Sequence, residues 1–290
     1  MTTQQLATEF MENYVKKRLR PTTVRGYQTN LNSHALPLLG NRTLHDLTPD
    51  DLDDLTEALQ DKGLSNKSII YVHATLRKAL NYALKREYIT NNVYDRFDLP
   101  RVEEYTYKTL TEEQITQMLS NANTKAPLHL AIRLALRYGM RRGEVLGIRP
   151  ETDLDPKRHI LHVQRTRTIE NGTETVTPCK TKHSNRYILL TEEDTKALRS
   201  KKNGYAVPLT PTQLDKQFKT FLQIGGFPNI RFHDLRHSYA TLMLSKQVNP
   251  KIVSAVLGHS GIAITLNIYS HPDTSMQKVC LEVFNNEKER

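Results

Sequence analysis

Cysteine is nearly absent: 290 residues hold only Cys179 and Cys280. So few exclude a disulfide framework and fit a reducing, cytoplasmic setting. Neither stands in a CxxC or other zinc-ligand spacing. Long apolar runs are missing too. No stretch of roughly 18 apolar residues occurs, so no membrane span is expected. The opening residues, Met1-Thr2-Thr3-Gln4-Gln5, lack a basic stretch followed by an apolar one, so no secretory signal is expected. There are no internal repeats and no low-complexity segments. Between Asp46 and Asp61 basic residues vanish altogether, while seven acidic ones occur.

What is present is positive charge. Formal net charge is +10 at pH 7, which favours nucleic acid or another anionic partner. Its distribution is uneven: residues 1–100 carry 13 Lys/Arg against 12 Asp/Glu, so nearly all the surplus lies in residues 101–290. In the first hundred residues the bases gather at Lys16, Lys17, Arg18, Arg20 and Arg25, and at Lys67, Arg77, Lys78, Lys85 and Arg86. One basic and one acidic side would suit a domain laid against double-stranded DNA; a solvated charged surface reads the same way. From the first group and the second, Lys16, Lys17, Arg18, Arg25, Lys67, Arg77 and Lys78 are the expected DNA contacts.

Chain length suggests two domains. Residues 1–99 read as a helical bundle. Leu6, Phe10, Tyr14 and Val15 mark a helix over 3–18, and Thr22 opens a second to about His34. Thr48-Pro49-Asp50-Asp51 combines an N-cap, a proline at the first helical position and acids in the first turn. That helix ends at Gly63. Ser65 starts a longer one with Ile69, Val72, Leu76, Leu80 and Leu84 on one stripe. Residues 100–109 show neither helical nor strand periodicity and read as a linker.

Residues 110–290 read as a second, mixed domain, making the whole mainly α with a small antiparallel β-sheet. Thr111 and Gln114 form a capping box, and an apolar helix over 128–138 stops at Gly139. The runs 159–168, 173–180 and 186–191 are rich in Ile, Val and Thr, with turns at Glu170-Asn171-Gly172 and Lys182–Asn185; they predict one three-stranded antiparallel sheet. Helices resume after Thr191, with starts at Thr210-Pro211, His233, Asn249-Pro250 and Ser260. In the tail, Met276, Val279, Cys280 and Val283 have the spacing of a helix face.

Four stretches carry chemistry: Gly139-Met-Arg-Arg-Gly-Glu144, Lys180-Thr-Lys182, His233-Asp-Leu-Arg-His237, and Leu257-Gly-His259 followed by Tyr269. Arginines grip phosphate through a planar fork of donors, and a tyrosine can form a covalent intermediate. Taken singly, each stretch has a plainer reading. Arg141 and Glu144 could be a surface ion pair, His233 a core histidine beside a salt-bridged Arg236, Lys180 a solvated lysine and Tyr269 a packing residue. His233 and His237 also have the i, i+4 spacing of a zinc site. Asp234 stands where the zincin motif has Glu, however, and Arg236 would repel a dication, so no metal is expected.

Together, in this order, these stretches closely resemble the tyrosine recombinase (phage integrase) family. The similarity runs through Tyr138-Gly-Met-Arg-Arg-Gly-Glu-Val-Leu-Gly-Ile148, Cys179-Lys-Thr-Lys182, Phe232-His-Asp-Leu-Arg-His-Ser-Tyr-Ala-Thr241, Leu257-Gly-His-Ser260 and Thr265-Leu-Asn-Ile-Tyr-Ser-His271. The first domain resembles, more loosely, the family's helical core-binding domain. Tyr138 replaces a threonine common in the family, a change expected to matter little. Many family members bind arm sites with a further small N-terminal domain; the helical domain begins at once in this sequence, so arm-site binding is not among the expectations.

The resemblance implies a residue-by-residue assignment. Tyr269 attacks the scissile phosphate and becomes a 3′-phosphotyrosine. Arg141 and Arg236 hold the non-bridging oxygens. His233 and His259 hydrogen-bond the phosphate, with His233 as base for Tyr269. Lys180 protonates the 5′-hydroxyl leaving group, and Glu144 orients the first arginine's neighbourhood. No cofactor and no ATP are implied. Four protomers would act on paired attachment sites through a Holliday junction to integrate or excise a mobile element, with accessory DNA-bending proteins as further partners. Two domains on a linker would form a clamp around DNA, and the tail would dock on a neighbouring protomer. Two other readings remain at this point: strand relaxation by the same chemistry, as in type IB topoisomerases, and a catalytically idle DNA-binding protein of the same fold.

Overall fold

The computed structural model describes residues 1–101, 108–121, 126–170, 173–179, 181–201 and 204–266. The chain divides into two compact units, Met1–Tyr105 and Thr106–Arg290. Most of the expected linker, and the whole tail from 267, lie outside the described residues.

The first unit is helical. Helix α1 (Thr3–Phe10) starts at a capping box between Thr2 and Gln5 and continues through a π-turn, Met11–Val15, into Lys16–Arg18. Helix α2 (Pro21–Thr29) begins one residue before the expected start, because Pro21 occupies its first position, where a fixed φ and a missing N–H cost nothing. It runs past His34 through a second π-turn, Asn30–Ala35, to Leu36–Leu39. The wider turn lets the helix accept Pro37, whose ring would otherwise clash with the preceding carbonyls. Helix α3 (Pro49–Asp61) carries the Thr48–Asp51 capping box, and α4 (Asn66–Lys85) is the longest element. Leu6, Phe10, Leu31, Leu52, Leu55, Leu59, Ile69, Leu76 and Leu80 meet in a core from which water is excluded. At its edge His73 is fully buried. Its Nδ1 lies 2.8 Å from the Tyr94 hydroxyl and its Nε2 3.0 Å from Thr56 Oγ1, so both ring nitrogens are satisfied.

The second unit is built round α6 (Pro127–Tyr138), which follows α5 (Glu112–Ser120) and is buried on nearly every side. That burial is the mark of a central helix. Gly139 ends it in the left-handed conformation, φ 60°. A side chain there would lie 2.4 Å from Leu257 Cδ2 and 2.7 Å from Tyr239 Cδ1. Helix α7 (Arg142–Gly147) follows at once.

The sheet differs from expectation. Strands β1 (Leu154–Asp155), β2 (Ile160–Val163) and β5 (Arg186–Leu189) form one antiparallel sheet in the order β1-β2-β5, while β3 (Arg165–Glu170) and β4 (Thr173–Pro178) form a separate hairpin. One apparent run, 159–168, is therefore two strands with different partners. The break is Gln164: its backbone carbonyl accepts from Cys179 N at 3.1 Å and its side-chain amide donates to Asp153 at 2.8 Å.

Helices α8 (Glu192–Arg199), α9 (Pro211–Ile224), α10 (Asp234–Ser245), α11 (Pro250–Leu257) and α12 (Ile262–Leu266) complete the unit. Tyr138, expected to matter little, is buried and fastens α6 to the start of α8. Its hydroxyl donates to Asp194 Oδ2 at 2.7 Å and accepts from Thr191 N at 3.0 Å.

Candidate active site

Three helix ends converge. Arg141 is the N-cap of α7, and Glu144, three residues on, accepts from the Arg141 backbone N–H at 2.9 Å. The same carboxylate takes a hydrogen bond from Arg141 Nη1 at 2.7 Å. Glu144 is 1% exposed, so the carboxylate of this pair is buried, unlike that of the surface ion pair of the plainer reading. Arg141 also reaches the end of α11, donating to the carbonyls of Leu257 at 3.4 Å and Gly258 at 3.2 Å.

Gly258 caps α11 with φ 67° and ψ 44°. A Cβ on it would stand 2.8 Å from the His183 carbonyl oxygen and 3.1 Å from Arg186 Nη1. The left-handed turn swings His259 out of the helix, where its Nδ1 shares a 2.8 Å hydrogen bond with buried Thr265 of α12.

His233 and Arg236 stand at the start of α10, with His233 as the N-cap. Arg236 is buried. Its Nη1 donates to the Gly139 carbonyl at 2.8 Å, while its buried Nη2 has no partner among the described residues. The His237 ring meets that of His233 edge-on at 5.1 Å. Asp234 does not join the cluster as a ligand; it is taken up by Arg231, which donates to it at 2.8 Å through both the backbone N and Nη2.

The electrostatics follow from this crowding. Burial and then the neighbouring Arg141 lower the Arg236 guanidinium to about 9, still cationic at neutral pH. His259 is pushed down to about 4 by burial, then by Arg236 and Arg141. His237 falls to about 4 through burial and then His233. His233 is lowered by burial and then by Arg236. The imidazoles are neutral in a field made by guanidiniums. Glu144 keeps its charge although burial opposes it, because Arg186 and Arg141 hold its carboxyl below the usual range.

Arg186 is the residue that the sequence concealed. It heads β5, is buried, and donates to Glu144 through Nη1 at 3.1 Å and Nη2 at 3.0 Å. The same Nη1 reaches the Ser184 carbonyl at 3.1 Å, and its Nε donates to the Val256 carbonyl. Thr265 was missed as well.

Lys180 and Tyr269 lie outside the described residues. Cys179, before Lys180, continues the β3–β4 pairing through its bond to Gln164. Among the described residues no group of three or more His, Cys, Asp or Glu side chains could hold a metal ion, and no helix is long and apolar enough to cross a membrane.

In the first unit the expected DNA contacts lie on several helices. Lys16 pairs with Glu12, Lys17 donates to Asn13 at 3.4 Å, and the Arg18 guanidinium lies 5.1 Å from the centre of the Tyr14 ring. Lys78 lies 5.5 Å from the centre of the Tyr27 ring and donates to its hydroxyl at 3.1 Å. Arg77 stands 3.6 Å from Asp95. Arg25 and Lys67 are exposed.

A converging set of arginines and neutral histidines is an arrangement suited to an enzyme acting on phosphodiesters. Residues 108–276 match the phage integrase family, and residues 2–60 match its N-terminal SAM-like domain. Tyrosine recombinase XerC of Alcanivorax borkumensis is 30% identical over 268 residues, covering 89% of this chain and 86% of that protein. The transposase of transposon Tn916 from Enterococcus faecalis is 25% identical over 312 residues, covering 96% and 76%. Among solved structures, the Tn1549 transposon integrase in complex with transposon right end DNA superposes with a TM-score of 0.80 at 22% identity, covering 97% of this chain and 99% of that one. A lambda integrase tetramer bound to a Holliday junction gives 0.68 at 19% identity, covering 90% and 78%. The chain belongs to the phage integrase family and is a site-specific DNA recombinase, an enzyme that cleaves and rejoins DNA. Relaxation without recombination and idle binding are not favoured.

Proposed function

We propose that Tyr269 attacks the scissile phosphate while Arg141 and Arg236 hold its non-bridging oxygens, so that cleavage leaves a 3′-phosphotyrosine and a free 5′-hydroxyl. The observation that carries this reading is the buried, unpartnered Nη2 of Arg236. One arm of its fork is spent on Gly139, which leaves the other to meet an anion. Donors held in place where charge grows are worth about 10²- to 10³-fold in rate each. A neutral His233 can take the tyrosine proton, and His259, fixed by Thr265, can hydrogen-bond the phosphate. Lys180, which follows directly on the β3–β4 hairpin, is the general acid for the 5′-oxygen. A partner strand's 5′-hydroxyl then attacks the phosphotyrosine, so bond energy is kept and no cofactor is required.

On this reading residues 1–99 form a core-type DNA-binding domain, 100–109 a linker and 110–290 the catalytic domain with a tail helix. Lys16, Lys17, Arg18, Arg25, Lys67, Arg77 and Lys78 meet backbone phosphates. Four protomers assemble on paired double-stranded sites in the cytoplasm to integrate or excise a mobile element, with DNA-bending proteins as accessory partners. The test is Tyr269→Phe with a nicked duplex selected by the unaltered chain from a random-sequence pool. Binding should persist and the covalent adduct on denaturing gels should vanish; an adduct that survives would falsify the nucleophile assignment.

A further inference from the structure

Three guanidiniums, those of Arg141, Arg186 and Arg236, surround one buried carboxylate, that of Glu144. Only two of them touch it, and they touch it unequally. Arg186 donates to both oxygens, at 3.1 and 3.0 Å. Arg141 uses a single side-chain nitrogen, at 2.7 Å. Exposure differs in the same sense: the Arg186 side chain is 7% exposed and that of Arg141 33%. Arg186 is thus the permanent counter-ion, sealed in by the Ser184 and Val256 carbonyls, while Arg141 opens to solvent.

We propose that Arg186 is a positioning residue for strand cleavage: it neutralises Glu144 so that Arg141 is oriented by the carboxylate without being held by it, and remains available to phosphate. A buried carboxylate deprived of its partner carries an uncompensated charge. Without Arg186 the nearest cation able to supply compensation is Arg141. Its guanidinium would turn fully onto Glu144 and away from the DNA. Arg186 also ties β5 to the last turn of α11 through Val256. Arg141 binds the adjacent carbonyls of Leu257 and Gly258, so the same residue helps set where His259 emerges. The proposal rests on the reading of Arg141 as a phosphate ligand.

The experiment compares adduct formation on the selected nicked duplex by the full-length chain and four variants, with DNA affinity measured alongside. Arg141→Ala tests the underlying reading: an unchanged cleavage rate would sink that reading itself. Arg186→Met should slow cleavage by ~100-fold, the scale of one lost charge-stabilising donor, while affinity for the duplex changes little. The decisive arm is Arg186→Met combined with Glu144→Gln. Removing the stranded charge frees Arg141, so the double variant should cleave at least ~10-fold faster than Arg186→Met alone, a rescue that independent residues do not show. If Arg186 were merely structural, the second substitution would leave cleavage as slow or slower, and that outcome overturns the proposal. Arg186→Lys covers the case in which the methionine variant does not fold. An ammonium keeps the charge but cannot make the same fork of contacts. Cleavage within ~10-fold of the unaltered chain supports charge compensation, and a ~100-fold loss in a folded lysine variant overturns it.

Discussion

Arg236 spends Nη1 on the Gly139 carbonyl at 2.8 Å and leaves Nη2 buried without a partner among the described residues. A buried donor without a partner costs stability, and here it stands beside the residue that opens α7. Arg236 and Arg141 are thereby linked through the backbone of the turn between α6 and α7.

Arg236→Lys should therefore cripple the enzyme while sparing the fold. A lysine can satisfy Gly139 or meet a phosphate, but a single ammonium lacks the fork that does both. Cleavage should fall by ~10²-fold or more, with the melting temperature lowered by no more than a few degrees. Adduct formation in single turnover gives the first quantity and calorimetry the second. A lysine variant that cleaves at the normal rate would show that the fork is not needed.

Gly258→Ala should disturb both stability and chemistry. The left-handed backbone costs a non-glycine residue about 1–3 kcal/mol. The added carbon would also press on the His183 carbonyl at 2.8 Å. Relief requires the end of α11 to move, and His259 and the carbonyls bound by Arg141 move with it. A lowered thermal midpoint should accompany slower cleavage; slow cleavage at an unchanged midpoint would separate the two effects and contradict this account.

His73 makes the first unit sensitive to acid. Burial lowers its pKa from 6.5 to about 4, so between those values the unfolded chain binds a proton that the folded chain does not. Its stabilising contribution is complete above pH 6.5 and is lost as pH falls towards 4. A displacement of this size corresponds to about 3 kcal/mol at the limit. Because the sequence contains no tryptophan, hydrogen exchange of peptides from α4 is the suitable probe. Protection should drop between pH 6.5 and 4.5 in the unaltered chain, and His73→Gln should lessen that slope; equal slopes would remove His73 from the explanation.

Much of this molecule is legible in its sequence, and the reasons are local. Thr48-Pro49, Thr111, Thr210-Pro211 and Asn249-Pro250 open helices where capping chemistry requires. Gly139 and Gly258 close helices in the left-handed conformation. The less legible features depend on distant partners. Nothing in the Ile-Val-Thr pattern of 159–168 says that the strand changes neighbour at Gln164. Arg186 was hidden because its strand has apolar side chains on both faces. Tyr187 and Leu189 are 71% and 72% exposed, while Arg186 and Ile188 point inward. An alternation read from hydrophobicity alone would turn that strand over. Its inward arginine makes sense only once Glu144, 42 positions earlier, is known to face it.

The two π-turns of the first unit act as a vernier. In a regular helix Val15 would lie about 180° round from Leu6. Yet both are completely buried, because the turn over Met11–Val15 absorbs a surplus residue. The correction is inherited by Lys16, Lys17 and Arg18, whose bearing around the helix axis is set by a residue count upstream and not by their own identities. Removing one residue inside that turn would leave every charge in place and rotate the trio by roughly 100°. The direction in which this basic stretch faces is thus encoded as arithmetic in the apolar half of the helix.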